Sequence, residues 1–225
     1  RHGAREIRFF DDDFAHDRDR ALALCEALAR RPRIVPWTCL MNAHEADPEL
    51  LAAMRRAGCW QVLFGLESGA PRILRRLRKP MRVEQAEEAV HRAAEAGLSI
   101  RGDFLLGVPG ETAEEMERTI AMALRLPLDY AHFNKFMPYP GTELYDELVA
   151  AGQRFDFFDN WSDVDHAAHL AAVADVPPVE FGALLDRAYR RFYLRPRYVT
   201  RRLRGIRTWT ELRGQLVGAA AMVLL

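Results

Sequence analysis

Residues 98 to 112 read Leu-Ser-Ile-Arg-Gly-Asp-Phe-Leu-Leu-Gly-Val-Pro-Gly-Glu-Thr, with Gly97 before them and Glu115 shortly after. The first nine residues are apolar enough for a buried strand, from Leu98 to Leu106. Gly97 stops the helical pattern that runs from Val83 to Ala96. Gly107-Val-Pro-Gly-Glu-Thr112 is a sharp turn, and Thr112 with Glu115 forms a capping box that opens the next helix. Helix, strand, turn and helix thus follow one another within one short segment.

The same unit recurs on both sides. Toward the C-terminus, Tyr130 to Phe136 is a strand ending in Met137-Pro-Tyr-Pro-Gly-Thr142, and its helix reaches Ala151 and stops at Gly152. Toward the N-terminus, Trp60 to Leu66 is a strand closing on Glu67-Ser68-Gly69. Before it lies the strand Ile34 to Leu40, with a helix capped by Asp47 and started by Pro48 that carries Leu50, Leu51 and Met54 on one side. The first strand is Glu6 to Phe10, followed by Asp11-Asp12-Asp13 and a helix through Ala21 to Arg30. Strands and helices alternating about every thirty residues predict a parallel sheet of βαβ units, as an α/β barrel or open α/β sheet. In either architecture function gathers at the C-terminal ends of the strands.

The chemistry-bearing residues lie at those ends. Carboxylates in the Asp11-Asp12-Asp13 turn suit a cationic amino group or a hard metal, or else one of them caps the following helix. Glu67 suits a ligand hydroxyl or amine, or a structural ion pair with Arg101. Asp103 interrupts an apolar strand and needs a partner, for which Arg101 stands on the same strand face. The two Pro-Gly turns permit close approach of a flat ligand and are also plain strand-to-helix connections. Beyond Gly152, the segment Phe155 to Asp165 is aromatic and acidic, and helical patterns return from Val179 to Leu194 and from Pro196. His166 and His169 near Asp163 and Asp165 have a metal-like spacing, although such pairs are common on acidic surfaces. Ten arginines between Arg187 and Arg213 suit lipid or RNA phosphates, or simply a solvated helix face whose stems cover apolar surface.

Composition narrows the classes. Of 225 residues 49% are hydrophobic, enough for one sizeable core or a core plus an appendage. Thirty-two basic and 32 acidic residues cancel, so no global field draws the protein to nucleic acid or lipid. No apolar run has the length of a membrane span. Cys25, Cys39 and Cys59 are too dispersed for a disulfide framework or a cluster motif; they read as small buried hydrophobes in a reducing cytoplasm.

Taken in order, four motifs resemble the core of a radical S-adenosylmethionine enzyme: Ile7-Arg-Phe-Phe-Asp-Asp-Asp-Phe14, Phe64-Gly-Leu-Glu-Ser-Gly69, Phe104-Leu-Leu-Gly-Val-Pro-Gly-Glu-Thr112 and Phe136-Met-Pro-Tyr-Pro-Gly-Thr-Glu-Leu-Tyr145. The closest resemblance is to the subgroup that often carries an N-terminal cobalamin-binding domain, which includes methyltransferases and the anaerobic ring cyclase of chlorophyll synthesis. Arg191 to Tyr198 also looks like the tail of that subgroup. The resemblance implies a partial parallel (βα)6 TIM-like barrel, of which the second to sixth strands are present, with a helical C-terminal extension. Residues 1-152 would be the core and residues 153-225 the extension.

It further implies S-adenosylmethionine and a [4Fe–4S] cluster as cofactors, possible cobalamin, a reductant such as flavodoxin or ferredoxin, and a small-molecule or lipid-like substrate, with no nucleic acid. By the resemblance Asp11, Asp12 and Asp13 would contact the amino group of S-adenosylmethionine, and Glu67 and Ser68 its ribose or methionine part. Asp103 and Gly107 would border ribose and adenine, and Phe136, Met137 and Pro138 would flank adenine. The family's CxxxCxxC loop is not among these residues, so the cluster ligands are expected upstream of Arg1 and this fragment is expected to be inactive by itself. Two other readings remain open. One is a barrel lyase or aldolase with Asp103 and Glu67 as acid–base groups and Lys135 as a Schiff-base lysine. The other is a non-catalytic barrel touching a membrane surface peripherally through its arginines.

Overall fold

The computed structural model describes residues 3–155 and 175–205. Five strands form one sheet in sequential order: β1 (Ile7–Arg8), β2 (Trp37–Met41), β3 (Cys59–Glu67), β4 (Ser99–Leu106) and β5 (Tyr130–Lys135). The pairs β1–β2, β2–β3 and β3–β4 are parallel, as the repeated strand–helix pattern requires. By Cα packing the chain forms two compact units, residues 1–104 with 121–132 and residues 105–120 with 133–225. Strands β4 and β5 and the helix between them pass from one unit to the other.

In the first unit the helices are α1 (Arg18–Ala29), α2 (Pro48–Arg56), α3 (Pro71–Arg76) and α4 (Val83–Glu95). Asp17 caps α1 by accepting from the Arg20 amide at 3.0 Å. Asp47 caps α2 by accepting from Glu49 at 3.0 Å and Leu50 at 3.1 Å. Helix α2 buries Leu50, Leu51, Ala53 and Met54, and α4 buries Val83, Ala86, Ala89, Val90 and Ala93. Those spacings are the apolar stripe of a helix laid on a sheet. Gly97 takes φ +74° just past α4, a left-handed stop. Phe9, Phe14 and Trp37 pack as a ring cluster with centroids 5.1–5.3 Å apart. The Trp37 indole N–H finds a backbone acceptor at Ala57, 2.8 Å away.

In the second unit, Thr142 caps the helix Glu143–Ala150 by accepting from the Tyr145 amide at 3.3 Å. The helix Pro178–Tyr193 buries Phe181, Leu184, Ala188 and Phe192. Its Tyr189 hydroxyl accepts from the Phe133 amide at 3.2 Å and donates to the Phe133 carbonyl at 3.1 Å. One side chain on this helix thereby meets both the donor and the acceptor of a peptide on β5, the last strand of the sheet. A further helix, Pro196–Gly205, follows.

The fold is the expected α/β partial parallel barrel with a helical C-terminal part, although details depart from the sequence reading. β1 is two residues long, and β2 starts at Trp37 rather than Ile34, because Pro36 has no N–H to give the ladder. The 3-10 turn Ala43–Glu45 and the six-residue helix α3 are too short to show a period. No helix among the described residues is long and apolar enough to cross a membrane.

Candidate functional site

The three aspartates after β1 differ in their surroundings. Asp11 and Asp12 are exposed, Asp11 lying 3.5 Å from the Arg20 guanidinium. Asp13 turns inward: its Oδ1 accepts from the amides of Ala15 and Asn42, each at 3.2 Å, and its Oδ2 accepts from the Asn42 side chain. Asn42 and Glu45 follow β2 directly, so two adjacent strand ends are tied together. Burial disfavours the charge on Asp13, yet hydrogen bonds from Glu45, Asn42 and two backbone amides outweigh it and hold this carboxyl below its ordinary range. For Glu45 burial acts first, then the hydrogen bond and charge of Asp13, which together raise its carboxyl to about 7. The two acids therefore share one proton near neutrality, carried mainly by Glu45. Glu45 Oε2 is buried with no hydrogen-bond partner among the described residues. Ligand atoms of Asp13, His16 and Glu45 lie within 4.8 Å of one another, a spacing that suits a cationic group. Asn42 and Glu45 escaped the sequence reading, although each occupies the position after a strand where function concentrates.

Glu67 ends β3 with φ +61°, a left-handed conformation for a residue with a Cβ, and the β3–β4 register shifts beside it. Its partner is Lys79, with Nζ 2.9 Å from Oε1, and not Arg101 as the strand spacing had suggested. Lys79 follows α3, so its approach depends on the short helix that the sequence did not reveal. Ser68 is fully buried, and its Oγ accepts from the Ala70 amide at 3.1 Å, closing the turn into α3.

Arg101 and Asp103 form the expected pair. Arg101 Nε and Nη2 donate to the two carboxylate oxygens of Asp103 at 2.7 and 3.1 Å. Nη2 also lies 3.1 Å from His132 Nδ1 on β5. A guanidinium only donates, so in this contact Nδ1 is the acceptor.

At the end of β4, Gly107 has φ +83°, and a Cβ added there would meet the Phe181 ring at 2.9 Å. The space that the missing side chain leaves is thus taken by an aromatic ring of the same unit. Fully buried Glu111 accepts from the amides of Gly107 at 2.7 Å and Val108 at 3.1 Å. It clamps the Pro-Gly turn, a role the sequence reading missed because Glu111 stood inside a motif already explained as a turn. The Phe136 amide donates to the Leu106 carbonyl at 2.7 Å, which sets Gly107 and Phe136 at neighbouring strand ends. Phe136 and Pro138 are buried, Met137 is half-buried, and Tyr139 is exposed.

The three cysteines are all free and buried. Burial raises the Cys25 thiol to about 11, and a hydrogen bond with Cys59 together with burial raises Cys39 well above its usual value. Such thiols are poor metal ligands, in line with their reading as core residues. His166, His169 and the arginines beyond Gly205 lie outside the described residues. Of the nearer arginines, Arg191 and Arg187 face Glu117, and Arg195 lies 4.0 Å over the Phe192 ring.

Comparison with known proteins adds a family match. The family profile of the radical SAM superfamily matches residues 1–123. An uncharacterized methyltransferase of Pyrococcus horikoshii is 34% identical over 196 residues, covering 87% of this chain and 42% of the relative. A cytidylyl-2-hydroxyethylphosphonate methyltransferase of Streptomyces wedmorensis is 28% identical over 212 residues, covering 84% of this chain and 39% of the relative. The chain therefore spans about two fifths of the length of these relatives. In fold it is similar to the radical S-adenosylmethionine methyltransferase TsrM of Kitasatospora setae, solved with cobalamin and a [4Fe–4S] cluster. That likeness has a TM-score of 0.61 at 20% identity, over 66% of this chain and 31% of the other.

Proposed function

The chain belongs to the radical SAM superfamily, and from that premise we propose that it is the S-adenosylmethionine-binding part of a cobalamin-associated radical methyltransferase. The observation that carries this reading is the meeting of Asp13, His16 and Glu45 at adjacent strand ends, with their ligand atoms within 4.8 Å of one another. An amino acid's ammonium group fits that site. It offers three donors, one to take the place of the Glu45 proton at Asp13 and another for the unpartnered Glu45 Oε2. Asn42 keeps Asp13 aimed, and Lys79 holds the Glu67 carboxylate at the end of β3. The clamp of Glu111 on Gly107 and Val108 holds the β4 turn in one shape for a flat base to lie against.

In this family S-adenosylmethionine, cleaved reductively beside a [4Fe–4S] cluster, supplies a 5′-deoxyadenosyl radical. Cys25, Cys39 and Cys59 do not fit as ligands of that cluster: their sequence spacing is not that of a cluster motif, all three are buried, and the Cys25 and Cys39 thiols are raised above their usual values. The role assigned to this chain is accordingly to bind, orient and desolvate the nucleoside. Residues 1-152 act as the core and residues 153-225 as its extension, the partner being a small-molecule substrate. A flavodoxin- or ferredoxin-type reductant in the cytoplasm completes the reading, which the methyltransferase names of the relatives support.

The test is anaerobic reconstitution of the protein from its complete reading frame with iron, sulfide and cobalamin, followed by assay for 5′-deoxyadenosine and methyl transfer. Release of 5′-deoxyadenosine that falls at least about tenfold in Asp13→Asn supports the reading. An iron-free protein that releases none on reduction would refute it.

A further inference from the structure

Within the first unit, the sheet face that carries Arg101 also borders a cavity of about 350 Å³, within the usual range for small-ligand pockets. The strand registers explain how it forms. Arg8 pairs with Thr38 and Thr38 with Gln61, while Leu63 pairs with Arg101. These residues stand in two adjoining rows across β1 to β4 and line the cavity, with Trp60 and Glu6 at its margin. None of them belongs to the Asp13–Glu45 or Glu67–Lys79 sites.

The donors in this cavity outnumber their uses. Arg101 engages Asp103 and His132 through Nε and Nη2 alone, which leaves the two N–H groups of Nη1. Arg8 forms no ion pair among the described residues; its guanidinium lies 4.6 Å over the Phe10 ring. Thr38 is 5% exposed and adds a hydroxyl at the sheet surface between them. Leu63 supplies an apolar floor of low polarisability, against which charge-assisted hydrogen bonds strengthen. Among the described residues Glu6 is the one acid lining the cavity, and one of its oxygens is held 2.9 Å from the Trp60 indole N–H.

We propose that this cavity is a binding site for the oxyanion of a small organic molecule, phosphoryl or carboxyl, gripped by Arg8 and Arg101 with Thr38 between them. The Arg8 guanidinium, the two remaining N–H groups of Arg101 Nη1 and a hydroxyl match the several acceptor oxygens such a group presents. The occupant is the reaction's substrate; that last assignment rests on the function proposed above, whereas oxyanion binding itself does not.

The experiment is calorimetric titration of the chain at low ionic strength with inorganic phosphate and, separately, with acetate. At least one should bind saturably, and the better of the two gives the class of oxyanion. Arg8→Gln should weaken it about tenfold or more, and Thr38→Val several-fold, since each removes a donor to a charged group. Glu6→Gln, which keeps the acceptor for Trp60, should tighten it. Arg197→Gln, an exposed charge on the last described helix, should leave it unchanged. The same variants titrated with S-adenosylmethionine should match the parent chain, so loss of oxyanion binding is distinguishable from failure of the nucleoside reading. Absence of saturable binding by either anion overturns the proposal, as does binding indifferent to both Arg8→Gln and Thr38→Val.

Discussion

At the scale of single residues, the Asp13–Glu45 pair makes the most specific claim. Glu45 has a folded-state value of about 7, above the ordinary 4.5 of an unfolded glutamate. Between those values the folded chain holds a proton that the unfolded chain has released, so stability falls as pH rises from about 4.5 to 7. Asp13 is shifted the other way, and its stabilisation is lost only as pH falls through and below the ordinary carboxylate range. Glu45→Gln keeps a donor for Asp13 and cannot titrate. Chemical denaturation should therefore find it comparable to the parent chain at pH 5 and more stable at pH 8, by on the order of 1–3 kcal/mol. Parallel profiles for the two proteins would remove the shared proton from the account. The cysteines give a second residue-scale expectation: a thiol reagent at pH 7.5 should label none of the three until the chain is unfolded, as counted by mass spectrometry. The acidic turn was legible in the sequence as a strand-end feature. Which aspartate turns inward was not, because Asn42, 29 residues away, is what holds Asp13.

At the scale of elements, the turn after β4 depends on two groups that the sequence shows but does not connect. Glu111→Ala strips the acceptor from two buried amides and should cost about 2–4 kcal/mol in thermal or denaturant unfolding. Gly107→Ala forces a Cβ toward the Phe181 ring in a left-handed backbone conformation and should cost about 1–3 kcal/mol. Pairing it with Phe181→Leu should recover part of that loss, a coupling that a double-mutant cycle reads directly. Additive losses would show that the ring is not what fills the space. Long elements such as α2, α4 and β4 were legible because their apolar residues repeat at a helical or strand spacing. The two-residue β1, the 3-10 turn and α3 were not, since a period needs more residues than they contain. The correct partner of Glu67 was hidden for the same reason, as Lys79 arrives by way of α3.

At the scale of the whole molecule, the parallel order of strands and the row of chemistry at their C-terminal ends followed from the alternation of strand and helix alone. How compactness divides the chain did not, since the division falls inside β4 and β5, where the sequence has no linker. The oxyanion cavity was also out of reach, because it depends on the registry of four strands rather than on any motif. The central claim is that this chain holds S-adenosylmethionine by its ammonium group at Asp13. Calorimetric titration with S-adenosylmethionine tests it most directly, run on the parent chain, on Asp13→Asn and with an analogue lacking the amino group. The account predicts saturable binding to the parent chain, weakened about tenfold or more by either change, as loss of a charge-assisted contact requires. Binding that neither change weakens, or no binding at all, would contradict it.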